Sequence, residues 1–185
     1  MMRRITLVAL LLAMAASVAA CSSSQPAGQP AAQAGGGTLT RAMTSEPTSI
    51  DPHGPANSGL SLTLPYLFDT LVTRQKDGKF VPHLAESWDV APDHLSITMK
   101  LRQGVKFHDG TPLTSEAVVF TFDRFKKVGS KSPIAANIQE IAAVEVVDPQ
   151  TVRFRFQQPN ASIWSTLAMP YSSILNPAAV TAAGE

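Results

Sequence analysis

The sequence holds a single cysteine, Cys21, in 185 residues. That excludes a disulfide framework and any cysteine-based zinc site. Neither sign of charge dominates: 15 Lys and Arg stand against 14 Asp and Glu, a net of +1. The balance becomes −1 once Arg3 and Arg4 are set aside with the leader described below. A nucleic-acid binder needs a basic face for phosphates, and no nucleic-acid partner is expected here. No Gly-rich loop opens a helix at phosphate-binding spacing, and no G-x-S-x-G elbow occurs. The four histidines, His53, His83, His94 and His108, are scattered, with no pair spaced for one helix face or one turn, so no metal ligand is assigned. His108-Asp109 lies in a Gly-Pro turn and reads as turn chemistry, not as an acid–base pair. No catalytic residue and no cofactor emerges, so an enzyme is not expected. A secreted hydrolase would need a nucleophile or paired carboxylates, and no motif supplies them.

What is present begins with an address. Arg3 and Arg4 are followed by an apolar run from Ile5 to Val18 and then by small residues. This is the layout of a secretory signal, and the run falls short of the ~20 residues that span a bilayer. Residues 1–20 are expected to be a signal peptide. Val18-Ala19-Ala20-Cys21 resembles the bacterial lipobox, which implies cleavage before Cys21 and a lipid on its thiol. With two or three acyl chains, each buried CH₂ contributing about 0.8 kcal/mol, the protein would be held firmly on a membrane. From Ser22 to Gly37 there is no charge, aromatic residue or periodicity, so residues 21–37 are expected to form the lipidated cysteine and a flexible tether.

Folded structure is expected from residue 38, and 44% hydrophobic content suffices for a core. Thr38 to Met43 alternates weakly and predicts a strand. Ser45 to Pro55, with three prolines and a glycine, predicts a loop. Leu60, Leu64, Leu67, Phe68 and Leu71 predict one apolar stripe on a helix over 58–71, bent or delayed by Pro65. Lys76-Asp77-Gly78-Lys79 predicts a turn between extended segments. Glu86–Val90 and Leu95–Leu101 predict paired strands, with Leu95, Ile97, Met99 and Leu101 on the buried face. Thr114 is placed to cap a helix running to about Lys127 that buries Val118, Phe122 and Phe125. Arg124, Lys126 and Lys127 then stand where the helix dipole favours cations, and Gly129 is a stop. Ile141–Val147 and Thr151–Phe156 predict a hairpin. Trp88 and Trp164 read as core residues. The mixture is α+β, with antiparallel hairpins.

The stretch Leu84 to Arg124 resembles the extracellular solute-binding proteins of family 5, the oligopeptide, dipeptide and nickel receptors of ABC importers. The densest agreement is Leu101 to Phe107 followed by His108 to Thr114. Upstream Ser49-Ile50-Asp51-Pro52 and Tyr66 to Leu71, and downstream Val147 to Val152, fall in the same order. The resemblance covers nearly all of residues 37–185. It departs at Ala117, where the family often carries an acidic residue in the helix's first turn, a change expected to cost some capping energy.

The resemblance implies a periplasmic-binding-protein type II-like fold, of which residues 38–185 would be the N-terminal lobe and its subdomain only. Family members are about three times this length, a size needing several domains. The second lobe, which closes on the ligand by a hinge, would lie outside these residues. The residues alone would then bind weakly and expose apolar surface. Gly104 and Gly110 look architectural, serving turns. The loop after Ser49-Ile50-Asp51-Pro52 borders the cleft in the family, which makes Ala56, Asn57, Ser58 and Gly59 candidate ligand-binding residues. Asn57 or Ser58 could equally cap the following helix. The implied partners are a peptide or other small solute, the permease and ATPase subunits of an importer, and a membrane reached through the lipid anchor. The implied protein is an exported monomer in the periplasm or on the outer face of the cytoplasmic membrane. Nickel, a nickel chelate or a short sugar are alternative cargoes, and a truncated, non-binding envelope lipoprotein is an alternative role.

Overall fold

Alternation of side chains writes most of the architecture of this computed structural model, which describes residues 38–184 apart from 39, 44, 48, 56, 57, 129–131 and 133. The leader, Cys21 and the tether lie outside the described residues. Four antiparallel strands form the main sheet in the order β3-β4-β6-β5: β3 (Ala85–Val90), β4 (Ser96–Leu101), β5 (Ile141–Asp148) and β6 (Thr151–Phe156). On β4, Ile97, Met99 and Leu101 are buried, while Lys100 faces solvent. On β6, Val152, Phe154 and Phe156 are buried, and the register sets Phe154 opposite Ile97 and Val152 opposite Met99. These cross-strand pairs make one continuous apolar face. Leu95 is exposed and stands outside the strand, so the predicted alternation begins at Ile97.

A separate hairpin pairs β1 (Val72–Arg74) with β2 (Phe80–Pro82). Its turn closes with the Gly78 N–H on the Gln75 carbonyl at 2.9 Å. Gly78 adopts φ 89°, a left-handed conformation that glycine reaches without a Cβ penalty.

The helix α2 (Ser115–Val128) lies against β5 and β6. It buries Val118, Phe122 and Phe125 as predicted, and the Phe122 ring meets Phe154 edge-on at 5.0 Å. Its start is tied to the β5–β6 turn by the Ser115 N–H, which donates to the Pro149 carbonyl at 3.0 Å. Ala117 is 2% exposed and packs into the core. The carboxylate of the first turn is Glu116, held below its ordinary pKa chiefly by a hydrogen bond with the Thr114 side chain. The expected capping deficit at 117 is therefore met by its neighbour. Three short helices, α3 (Ala135–Gln139), α4 (Ile163–Leu167) and α5 (Pro177–Ala182), follow in the second half of the chain. Trp88 and Trp164 are partly buried against the core and pack on each other at 5.0 Å.

Two expectations fail. Residues 38 and 40–43 form no strand. A strand needs a partner edge, and among the described residues the strand pairs lie between Val72 and Phe156. The first helix, α1 (Ser58–Leu67), stops well before residue 71. Beyond it the chain pairs with a distant segment instead: the Thr70 carbonyl accepts from the Leu84 N–H at 3.2 Å and the Leu71 carbonyl from the Ala85 N–H at 2.9 Å. Leu60 and Leu64 are buried on α1, and Leu71 is buried beyond it, whereas Leu67 is partly exposed.

Candidate functional site

The loop before α1 is built on a tight turn. The Gly54 N–H donates to the Asp51 carbonyl at 3.1 Å, and Pro52 occupies the position whose φ proline pre-sets. The Asp51 carboxylate faces inward and accepts from the His53 N–H at 2.9 Å. Arg124 of α2 closes on this turn. Its Nη1 and Nη2 donate to the two Asp51 carboxylate oxygens at 3.1 and 3.0 Å. Nη1 also donates to His53 Nδ1 at 3.0 Å. A guanidinium only donates, so His53 Nδ1 is an acceptor and the ring is neutral with its proton on Nε2.

The electrostatics follow from burial. The Arg124 side chain is 9% exposed and that of Asp51 28%. Burial alone would raise the Asp51 pKa. The Arg124 hydrogen bonds, the His53 N–H and the nearby positive charge outweigh it and hold the carboxyl below 3.8. His53 is 1% exposed, and its ring meets Phe125 at 4.5 Å. Burial first, then the charge of Arg124, push its pKa down from 6.5 to about 4, with Asp51 opposing.

At its far end the loop is held by packing. A Cβ on Gly59 would lie 2.7 Å from the Ser45 carbonyl oxygen and 2.9 Å from the Pro47 nitrogen. The Ser58 and Ser45 hydroxyls hydrogen-bond at 2.9 Å. Ser58 is thus exposed with an engaged hydroxyl, and Gly59 is buried against residues 45–47. Ala56 and Asn57 lie outside the described residues. The structure therefore brings Ser58 and Gly59 to the start of α1, against residues 45–47.

Beside this turn opens a cleft of about 490 Å³, walled by Ile50, Phe68, Val105, Phe107, Ile174 and Val180. Asn176 stands at it and donates to the Asp109 carboxylate at 2.7 Å, joining the start of α5 to the 108–112 turn. That turn carries Gly110 at φ 87°, and Gly104 lies nearby in the chain at φ 75°, so both glycines serve turns as expected. Asp109 is bonded to the Thr111 N–H at 2.9 Å, which agrees with reading His108-Asp109 as turn chemistry. A second cavity of about 660 Å³ lies on α2 between Phe120, Asp123, Lys127 and Val146, and Asp51 and Arg124 line both. Among the described residues no three His, Cys, Asp or Glu side chains converge on one point. The arrangement offers apolar walls, amides and backbone groups, the chemistry of holding a small molecule.

The Arg124 contact escaped sequence reasoning, which read the residue only as a cation near a helix end. A signal was present: Arg124 stands seven residues after Ala117 and three after Thr121, on the buried flank of α2. A charge on such a flank needs a buried partner, but nothing local identifies Asp51.

The family model for bacterial extracellular solute-binding proteins, family 5 Middle, matches residues 79–184. The glutathione-binding protein GsiB of Pectobacterium atrosepticum is 35% identical over 145 residues, which is 78% of this chain and 28% of the relative. Among solved structures, AgaA from A. tumefacien R10 in complex with agropinic acid is 33% identical with a TM-score of 0.68, over 76% of this chain and 28% of its own. The ABC transporter-associated periplasmic binding protein DppA from Helicobacter pylori, in complex with peptide STSA, is 27% identical with a TM-score of 0.63, over 74% and 30%. The chain thus spans well under half the length of each relative.

Proposed function

Because the chain belongs to the bacterial extracellular solute-binding proteins of family 5, we propose that it is part of a receptor that captures short peptides or peptide-like solutes and delivers them to an ABC permease. The fold is that of a periplasmic binding protein of type II, represented by part of one lobe. Family members are solute-binding receptors, and this protein is read likewise as a binder that performs no chemistry on its cargo. The observation that carries the cargo class is the likeness to GsiB, a glutathione-binding protein, across 78% of the chain. Glutathione is a modified tripeptide, and DppA, of the same fold, holds a peptide. The loop at Ala56, Asn57, Ser58 and Gly59 is read as the solute-facing edge, and the apolar cleft beside the 51–54 turn as receiving side chains or a further part of the receptor.

The leader and Cys21 support export and anchoring by lipid in the cell envelope, in the periplasm or on the outer face of the cytoplasmic membrane. A partner permease and ATPase complete the importer, and the receptor acts as a monomer. The deciding experiment is isothermal titration of the protein, isolated as its own cells produce it, against glutathione, di- and tripeptides and nickel–histidine. Saturable binding of glutathione or a peptide supports the reading. Binding of nickel–histidine alone, or of none of these, overturns the peptide assignment. Incorporation of a labelled fatty acid, lost in Cys21→Ala, tests the anchor separately.

A further inference from the structure

The cleft of about 490 Å³ beside the 51–54 turn is apolar, and its polar groups are poorly placed to select a solute. A pocket that selects a small molecule keeps a few polar groups free to orient it. Here the polar side chains of the wall are largely engaged already. Arg124 holds both carboxylate oxygens of Asp51 at 3.1 and 3.0 Å. Asn176 donates from Nδ2 to Asp109 at 2.7 Å, and its Oδ1 accepts from the Ala178 N–H at 2.9 Å. Asp69 Oδ1 lies 3.5 Å from His83 Nε2, and Ser49 Oγ accepts from the Asp51 N–H at 3.0 Å. The other polar residues of the wall, Lys106 and His108, are exposed. The wall also leaves large apolar side chains open to solvent: Ile50 is 57% exposed and Leu67 37%. A concave apolar surface whose polar groups are already paired has the character of one side of a packed interface.

We propose that this cleft is an internal joint of the receptor: it is filled by an apolar segment of the same polypeptide that lies outside residues 1–185, and no solute enters it. This rests on the receptor reading above and decides between the two occupants named there. The part of GsiB from Pectobacterium atrosepticum that matches this chain is 28% of that relative, so a receptor of that length has further chain to supply the segment. The residues before 38 do not supply it. Ser22 to Gly37 holds no Val, Ile, Leu, Met or aromatic side chain, and the apolar run Ile5 to Val18 belongs to a leader expected to be removed. A second copy fits poorly as well. A two-fold contact sets the same patch against itself, and two hollows enclose a void where a ridge is needed. A segment of the receptor's own chain brings a ridge and is kept close by its covalent link.

The test introduces single thiols on the cleft wall, Ile50→Cys and Ala179→Cys, with Val147→Cys on β5 as the reference. All three positions are exposed in this structure, Ile50 at 57% and Val147 at 47%. Each protein is isolated as its own cells produce it, and the rate of maleimide labelling is read at the substituted residue by peptide mass mapping. Residues 50 and 179 are expected to label about tenfold more slowly than residue 147, because the segment must lift away first. The difference should hold with or without glutathione and at every protein concentration. Labelling as fast as at residue 147 shows an open cleft and overturns the proposal. So does protection that appears only with glutathione, which makes the cleft a solute site, or that grows with protein concentration, which assigns it to a second copy. Titration of the same samples with glutathione separates this proposal from the receptor reading. Binding with unprotected thiols leaves the receptor and removes the covering segment, whereas protection without binding removes that cargo and leaves the segment.

Discussion

One hydroxyl of Thr121 holds Leu175 to α2: the Leu175 N–H donates to Thr121 Oγ1 at 3.0 Å, and the same hydroxyl donates to the Ala117 carbonyl at 2.7 Å. Thr121 and Leu175 are buried, as is the whole of Tyr171–Leu175. Thr121→Val preserves the shape but leaves a buried N–H without its acceptor. A loss of about 1–3 kcal/mol is expected, seen as a lower urea midpoint with an unchanged slope. Thr121→Ser, which keeps the hydroxyl, should recover most of it. A Thr121→Val midpoint equal to wild type would show that this bond does not dock the segment.

Acid should destabilise the fold in two stages, through His53 and then Asp51. Folded His53 titrates near 4 instead of 6.5, because burial and Arg124 disfavour its charged form. Between those values the unfolded chain binds a proton that the folded chain refuses. Stability is therefore full above about pH 6.5 and falls as pH drops toward 4, by up to about 3 kcal/mol. The depressed Asp51 pKa contributes stability above 3.8, which is lost as pH falls further. His53→Asn retains an acceptor for Arg124 and cannot titrate. Melting temperature plotted against pH should flatten between 4 and 6.5 in that variant. An unchanged slope would assign this limb to other groups.

The hairpins were legible because their signal is local. Val152, Phe154 and Phe156 alternate with Arg153 and Arg155, and any antiparallel partner must bury the first set. Helix α2 was legible for the same reason, through Thr114 and the Val118–Phe122–Phe125 stripe. The end of α1 was not, because Thr70 and Leu71 enter long-range pairing with residues 84 and 85, which no local pattern announces. The ion pair on the loop was not, because Asp51 and Arg124 meet only after the sheet has brought α2 under the loop. The loop was located by family resemblance, whereas what holds it could be read only from the fold.

Phe122 is the aromatic centre between α2 and the sheet, 1% exposed and edge-on to Phe154. Phe122→Ala removes the ring contact and leaves a cavity, with an expected cost of about 3–5 kcal/mol. That is a large share of the ~5–15 kcal/mol that holds a typical domain together. Phe122→Leu should retain roughly half of the loss. Calorimetric melting of the two variants ranks them, and an Ala variant melting within a degree or two of wild type would contradict this account of the core.

Gly59 tests whether the loop is gripped at its second anchor. In an open helix position, Gly→Ala gains about 1 kcal/mol of helix propensity. Here the new Cβ would stand 2.7 Å from the Ser45 carbonyl oxygen and 2.9 Å from the Pro47 nitrogen. These are backbone atoms, so no rotamer change relieves the overlap, and either residues 45–47 or the start of α1 must move. Overlap outweighs propensity, and Gly59→Ala should destabilise by about 1–3 kcal/mol. Because the displacement falls at Ser58 and Gly59, which are read as part of the solute-facing edge, solute affinity should fall as well. Gly78→Ala provides the contrast: its cost, about 1 kcal/mol, comes from the φ of 89° in a hairpin turn and not from overlap. It should lower the melting temperature and leave affinity unchanged. If Gly59→Ala proves as stable as wild type, the 45–47 backbone yields freely and does not grip the start of α1.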